Sequence, residues 1–299
     1  MNTERVKNIS IALLCIVTLF LGVMIFVEES QYSISAAQEA SIISLLERGD
    51  IHFSAPYMAN HRPARMLALE QYEYDLESLA ARFFGEDAPF LVEIEGSDKT
   101  FSLGLDLEDK LMFYSHRNNW VLFTISEGLT NEAFASTGGA AAARQLAEWY
   151  IEEIIGMPPG MEFFRQVFNH NGDYIISFFS SYRGHILYND HIRVTVADRG
   201  VTSIFYSRVL NHGFIGESRS VFSGDEALLA LLNHLRHVQQ IEDRIGIGNM
   251  YLAYFLTDEG GVNVGVPSYV FTISLVNELR FNYIFNAHTN QHIWHEILR

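Results

Sequence analysis

The stretch "NISIALLCIVTLFLGVMIFV", Asn8 to Val27, constrains this chain more than anything that follows it. From Ile9 to Val27 it carries no charged side chain. About 19 helical residues at a rise of 1.5 Å reach roughly 28 Å, the depth of a bilayer's hydrocarbon core. Arg5 and Lys7 stand before the run, and Glu28 and Glu29 follow it. Positive charge is retained on the cytoplasmic side, so the expected order is a cytoplasmic stub at 1–7, a transmembrane anchor at 8–27 and the remainder outside the cell. A cleaved signal peptide would have a shorter apolar core and a small-x-small exit, which "MIFVEES" does not offer. A lipoprotein would need small residues just before its cysteine, whereas Leu13 and Leu14 precede Cys15. Inside the run Cys15, Thr18 and Gly22 are spaced by three and four, so they share one helical face. Small residues in line let a second membrane helix approach closely, which makes these three the candidate partner-binding residues. The plainer explanation is that small residues are common in membrane spans.

Charge then removes whole classes of partner for the exterior. Twenty Lys and Arg against 36 Asp and Glu give a net charge of −16, and no basic block interrupts the acidic surface. Such a surface repels phosphate backbones, so nucleic acid is not an expected partner. The single cysteine, Cys15, allows neither an internal disulfide nor a cysteine-rich metal site.

Periodicity outlines an α+β exterior in which antiparallel sheets pack against helices. "SAAQEASIISLLERG" carries a capping box at Ser35 and Gln38, with Ile42, Leu45 and Leu46 as its stripe. "DIHFSAPYMANHRPARMLALEQYE" reads as an irregular connection with a short strand near Met66 to Leu69, and Asp75 caps a second helix. Four strand-like runs between Phe90 and Ile125, punctuated by "GSDK", "DLED" and "HRNN", predict a meander. The composition changes at "TNEAFASTGGAAAARQ", which places a membrane-proximal domain at 28–130 and a C-terminal domain at 131–299. The latter is written twice, at about 139–210 and 223–299. Each copy begins with a helix and continues as an antiparallel sheet. The first helix should bury Leu146, Trp149, Tyr150 and Ile154; the second, opened by Ser223 and Glu226, should bury Leu228, Leu231, Leu232 and Leu235. Each copy closes on a hairpin, one turning at Asp198-Arg199-Gly200 and the other at His288-Thr289-Asn290, with Asn290 in the left-handed conformation.

The clustered histidines near the C-terminus raise the question of a metal. If "QHIWHEI" is a return strand, His292 and His295 point to opposite faces and His288 sits on the turn, so three ligands cannot converge. His234 and His237 lie on the polar flank of a helix, and His185 and His191 flank "ILYND", which reads as a turn. No G-x-S-x-G elbow, S-x-x-K pattern or H-E-x-x-H motif is present. The glycine-bearing segments lack the strand–loop–helix order of a nucleotide site. The expectation is therefore no catalytic set, no metal and no cofactor.

The order of a short stub, one anchor, "AAQEASIISLLERGDIHFS" just outside it and tandem C-terminal sheets resembles the YycI family of Gram-positive bacteria along nearly the whole chain. "YIFNAHTNQHI" is similar to the end of a PepSY-type module, with Asn286 where that module carries an acid and Asn290 where it carries a glycine. The resemblance implies tandem PepSY-like units and a non-enzymatic regulator that acts with a YycH-like paralogue on a membrane sensor histidine kinase controlling cell-wall metabolism. Two rival readings are an extracellular PepSY-like module that inhibits a wall-associated protease, and a cell-surface hydrolase whose residues meet only in three dimensions.

Overall fold

Ser35 and Ser223 open helices in the same way. The serine hydroxyl accepts the backbone N–H of Gln38 or Glu226, and that residue's side chain accepts the serine N–H in return, at 3.1 and 2.8 Å. These boxes start α1, Ala36–Arg48, and α4, Gly224–Asn233. Between them α2, Leu76–Phe84, begins at Asp75, which accepts the Ser78 N–H at 3.1 Å, and α3, Ala140–Ile154, begins at Gly139 without a side-chain cap. The computed structural model describes residues 11, 13–24, 27, 35–54, 62–86, 88, 90–103, 110–130, 139–169, 171–241, 244–275 and 280–298. The stub at 1–7 and the segment 131–138 lie outside them. Residues 13–24 are helical, and no helix among the described residues is long and apolar enough to cross a membrane.

The described strands form one branched, predominantly antiparallel sheet, which makes this an α+β protein. After α3 come β7, Met161–Phe168, β8, Tyr174–Tyr182, β9, His185–Ala197, and β10, Gly200–Ser207, each antiparallel to the next. After α4 come β12, Ile245–Glu259, β13, Val262–Leu275, β14, Arg280–Asn286, and β15, His292–Leu298, paired in the same succession. The two meanders join where Ala253 and Tyr254 of β12 run parallel to Ile186 and Leu187 of β9. Each helix lies on its own meander. Leu146, Ala147, Tyr150, Ile151 and Ile154 of α3 are buried against Ile176, Phe178 and Ile192, while Trp149 remains 38% exposed. Leu228, Leu231 and Leu235 are buried against Tyr269, Phe271 and Phe285, with Leu232 at the margin.

The residues before 131 are divided between these two meanders. β3, Phe90–Glu95, β4, Asp98–Leu103, β5, Lys110–Ser115, and β6, Trp120–Leu129, form the expected meander, and β6 then continues the first repeat's sheet by pairing with β10. Phe83 and Phe84 of α2 share one apolar cluster with α3. By contrast Leu46 of α1, with Ile42 and Ile43 beside it, packs into the second repeat's core, and Leu45 points outward. β1, Ile51–Phe53, runs parallel to the start of β12, and β2, Ala64–Gln71, lies between β13 and β11, Val209–Arg219. Strand pairing and core packing thus cross position 130. Runs as short as β1 and β2 bury little alone and gain stability only as added strands of a larger sheet.

The β6–β10 junction requires glycine twice. Gly128 has φ 75° and Gly200 has φ 104°; a Cβ on Gly128 would overlap the Arg199 carbonyl, and one on Gly200 the Leu129 carbonyl. Both contacts are with backbone, which cannot move aside as a side chain can.

Two segments differ from their sequence reading. "ILYND" is not a turn, since His185–Ala197 is one continuous strand with Asp190 and His191 buried at 4% each. Its polar residues mimic a loop because their partners come from β8, β10 and Arg208, all distant in sequence. β11 was not expected either; its glycines at 213 and 216 hide a strand whose pairing with β2 is shifted at two points.

Candidate functional site

The second repeat's hairpin, β14 and β15, presents two buried faces, and the one turned toward the first repeat carries the most concentrated polar chemistry in the described structure. Alternation in "LRFNYIFN" suggests one buried face, of Phe281, Tyr283 and Phe285. In fact Asn282 and Ile284 are also buried, at 1% and 0%, because the first repeat covers them. An isoleucine among the polar positions was the one sequence hint of this.

On that covered face the Glu296 carboxylate of β15 accepts from the Tyr188 hydroxyl at 2.5 Å, the Asn282 amide at 3.0 Å and the Arg193 guanidinium at 3.0 Å. Asn282 also donates to the Tyr188 oxygen and accepts from the Thr272 hydroxyl, both at 2.8 Å. Thr272 in turn accepts from Arg165 of β7 at 3.2 Å. Side chains of Arg193 and Glu296 are only 17% and 23% exposed. Burial alone would raise the Glu296 pKa, but Arg193, then His191 and the hydrogen bonds from Tyr188 and Asn282, bring it down to about 2. Burial holds Tyr188 well above the ordinary tyrosine value, and the Glu296 charge adds to this. Near neutrality the cluster therefore contains a carboxylate, a guanidinium and an un-ionised phenol. Beside it, His191 is stacked between Phe179 and Phe205, with ring centroids 5.0 and 5.1 Å away. Its Nδ1–H donates to the Tyr188 carbonyl at 2.9 Å. Burial, and next the Arg193 charge, depress its pKa to about 4, so the ring is neutral.

The polar cluster opens into a cavity of about 350 Å³ between the two repeats. Arg165 and Val167 of β7 form one wall. Gly248 and Asn249 of β12, Thr272 to Ser274 of β13, and Arg280 of β14 form the other. Strand register explains the composition of that second wall. Asn249 is opposite Thr272 and Thr272 is opposite Asn282, while Arg280 is opposite Ser274 in the neighbouring rung. These side chains share one sheet face.

The hairpin's other face, toward α4, collects histidines. The pairing of β14 with β15 shifts between Ile284 and Phe285, so that Tyr283 is opposite His295 and Phe285 opposite His292. This bulge places His292 and His295 on the same face, not on opposite faces as their odd spacing implies. At the end of α4 a π-helical turn, His234–Val238, swings His234 over them. The His234 and His292 rings stack with centroids 4.2 Å apart, and His295 lies 5.4 Å from His292. His295 also stacks on Tyr283 at 5.3 Å. Burial, then His234 and His295, lower the His292 pKa to about 4. Among the described residues no group of three His, Cys, Asp or Glu side chains is arranged to hold a metal ion. His288 instead bonds the Ser220 carbonyl through Nδ1 at 3.1 Å. His237 is exposed, and His185 packs edge-on to Tyr254 at 5.5 Å.

The three residues expected to face a membrane partner are all on the helical run. Cys15 is a free, exposed thiol, Thr18 donates to the Leu14 carbonyl at 2.9 Å, and the position of a Cβ on Gly22 is open. The cavity residues Arg165, Asn249, Thr272 and Arg280 were not anticipated. They are isolated polar positions on four strands, and only the strand register gathers them.

The fold and site define an α+β protein whose two helix-plus-meander units meet over a polar cleft. No family model matches the chain, and neither does any curated protein. Among solved structures, an uncharacterized protein from Eubacterium rectale is 11% identical, with 82% of this chain and 91% of that one covered and a TM-score of 0.49. YycH from Bacillus subtilis is 13% identical over 73% of this chain and 53% of its own, with a TM-score of 0.42. The C-terminal domain of YpeB from Bacillus megaterium is 11% identical over 77% and 99%, with a TM-score of 0.34. The match thus spans about half of YycH, and with each of these TM-scores below 0.5 the likenesses decide neither fold nor function.

Proposed function

We propose that this chain is a non-enzymatic, single-pass membrane regulator whose exterior modulates a sensor histidine kinase together with a YycH-like partner. The observation that carries the membrane part is the helical run at 13–24, in which every side chain is exposed. Ile16 and Leu19 are 67% and 71% exposed. Leaving so much apolar surface in water would be costly at about 25 cal/mol per Å², and a bilayer removes that cost. A binding role is supported by the use made of the titratable groups. Glu296 and His191, whose proton affinities are displaced furthest among the acids and histidines of the inter-repeat seam, are held by Arg193, Asn282, Tyr188 and two phenylalanine rings. Such groups fasten two repeats together; a general acid or base needs access to a reacting atom. The choice of a kinase rests on the resemblance of the anchor, the juxtamembrane helix and the C-terminal sheets to the YycI family. Regulation then requires that the chain bind the kinase's two states unequally.

The test is photo-crosslinking in cells from positions 15, 18 and 22, with position 20 as the opposite-face control. Capture of a kinase or YycH-like membrane helix from the first three, and not from 20, is the expected result. Labelling of lipid alone from all four positions would refute the shared-face reading.

A further inference from the structure

The cavity between the repeats is lined by cations in a protein of net charge −16. No carboxylate is among its described lining residues. The nearby acid, Glu296, is already committed to Arg193, Asn282 and Tyr188. Arg165 spends one guanidinium N–H on Thr272 at 3.2 Å. Arg280, across the cleft, is exposed and enters no ion pair among the described residues. Ser274 stands opposite Arg280 in the sheet with its hydroxyl donating to the Gly246 carbonyl at 3.4 Å, and Asn249 adds an amide to the rim. In an acidic protein the cheapest fate for an arginine is a neighbouring carboxylate. Two arginines that line one polar cavity with no carboxylate partner among the described residues are arranged for an anion from outside. Guanidinium forks match tetrahedral and planar oxyanions, and an additional amide donor favours the one with more acceptor oxygens.

The geometry points to a phosphate-binding site in this cleft, held by Arg165 and Arg280 with the Asn249 amide as a neutral donor. The inference is independent of the membrane and kinase readings. A bound phosphate would bridge β7 of the first repeat and β14 of the second, so occupancy would tie the repeats together at the open end of their polar seam.

The full-length chain in detergent micelles is titrated with inorganic phosphate and, separately, with bis-glycerol phosphate, reading thermal midpoint and calorimetric heat. Acetate serves as the planar competitor. Saturable binding of phosphate is expected, weakened about tenfold or more by Arg280→Gln and by Arg165→Gln, as for loss of a charge-assisted hydrogen bond. Arg280 is exposed, so its variant should keep the unliganded thermal midpoint and guard against misfolding as the cause. Arg183→Gln, away from the cleft, should bind as wild type does. Tighter binding of the diester identifies a phosphodiester polymer or headgroup as the source, and tighter binding of inorganic phosphate a free ion or monoester; either supports the site. Absence of saturable binding, wild-type affinity in both arginine variants, or acetate competing as well as phosphate would overturn it.

Discussion

The two faces of the β14–β15 hairpin solve the same problem in opposite ways. Each buries polar side chains under another element. Toward the first repeat, burial is met by charge: Glu296 and Arg193 pair at 3.0 Å, and Asn282 and Tyr188 use the remaining acceptor capacity. Toward α4, burial is met by neutrality: His234 and His292, whose pKa values burial lowers, stack on each other with Phe285 edge-on to both, and His295 stacks on Tyr283. Paired charges tolerate no loss of a partner, and stacked neutral rings tolerate no gained proton. The carboxylate–guanidinium pair is consequently sensitive to loss of a partner, and the buried neutral histidines to acid.

Glu296→Leu should have the largest effect. It leaves the Arg193 charge buried beside Tyr188 with no counterion, a situation that costs about 3–5 kcal/mol. Urea midpoints would show this, with an unchanged slope if the native state stays compact. The double variant Arg193→Met with Glu296→Leu should recover most of the loss, since an apolar pair of similar volume avoids desolvating charge altogether. A double variant no better than the single would mean that Asn282 and Tyr188, more than the ion pair, hold the seam.

Acid separates the buried histidines from the seam's carboxylate by their windows. His292 has a folded pKa of about 4, below its ordinary value of 6.5. Its neutral form is favoured by folding, so its stabilising contribution is complete above pH 6.5 and is lost as pH falls toward 4. With partial solvent screening this amounts to about 1–2 kcal/mol. His191 shifts the same way and titrates in the same interval. Glu296, lowered from 4.5 to about 2, keeps its contribution above pH 4.5 and loses it only as pH falls toward 2. Stability measured from pH 7 to 4.5 should therefore fall through the histidines alone. His292→Gln should flatten part of that slope, leaving the shares of His191, His185 and His234, whose pKa values burial also lowers. An unaltered slope in this variant would show that the stacked cluster contributes nothing to the acid response.

How much of this was legible depended on sequence distance. Both capping boxes, the Asp75 cap and the left-handed Asn290, at φ 56°, could be read because cause and effect lie within a few residues. The β3–β6 meander was equally plain, its strands pairing in chain order. What escaped notice needed partners from far away. Asp190 and His191 read as a turn because Ser180 and Phe205 were not in view. His292 and His295 were assigned to opposite faces because a bulge has no local signature here. Arg165 and Arg280 stand 115 positions apart in the chain, and only the topology makes them neighbours of one cavity.

The finest test lies where the hairpin turn touches α4. Asn290 occupies the left-handed region at φ 56°, and its amide donates to the Glu226 carbonyl in the first turn of α4 at 3.1 Å. Asn290→Gly removes the hydrogen bond but relieves the backbone, two effects of about 0.5–1 kcal/mol each that nearly cancel. Asn290→Ala removes the bond and retains the strain. The alanine variant should therefore melt below the glycine variant by about 1 kcal/mol, with wild type close to glycine. Equal stability of the two variants would mean that the turn relaxes out of the left-handed region once the amide is gone. The helix-side face would then be fixed by its stacked rings alone, and the contrast with the hydrogen-bonded seam would be sharper still.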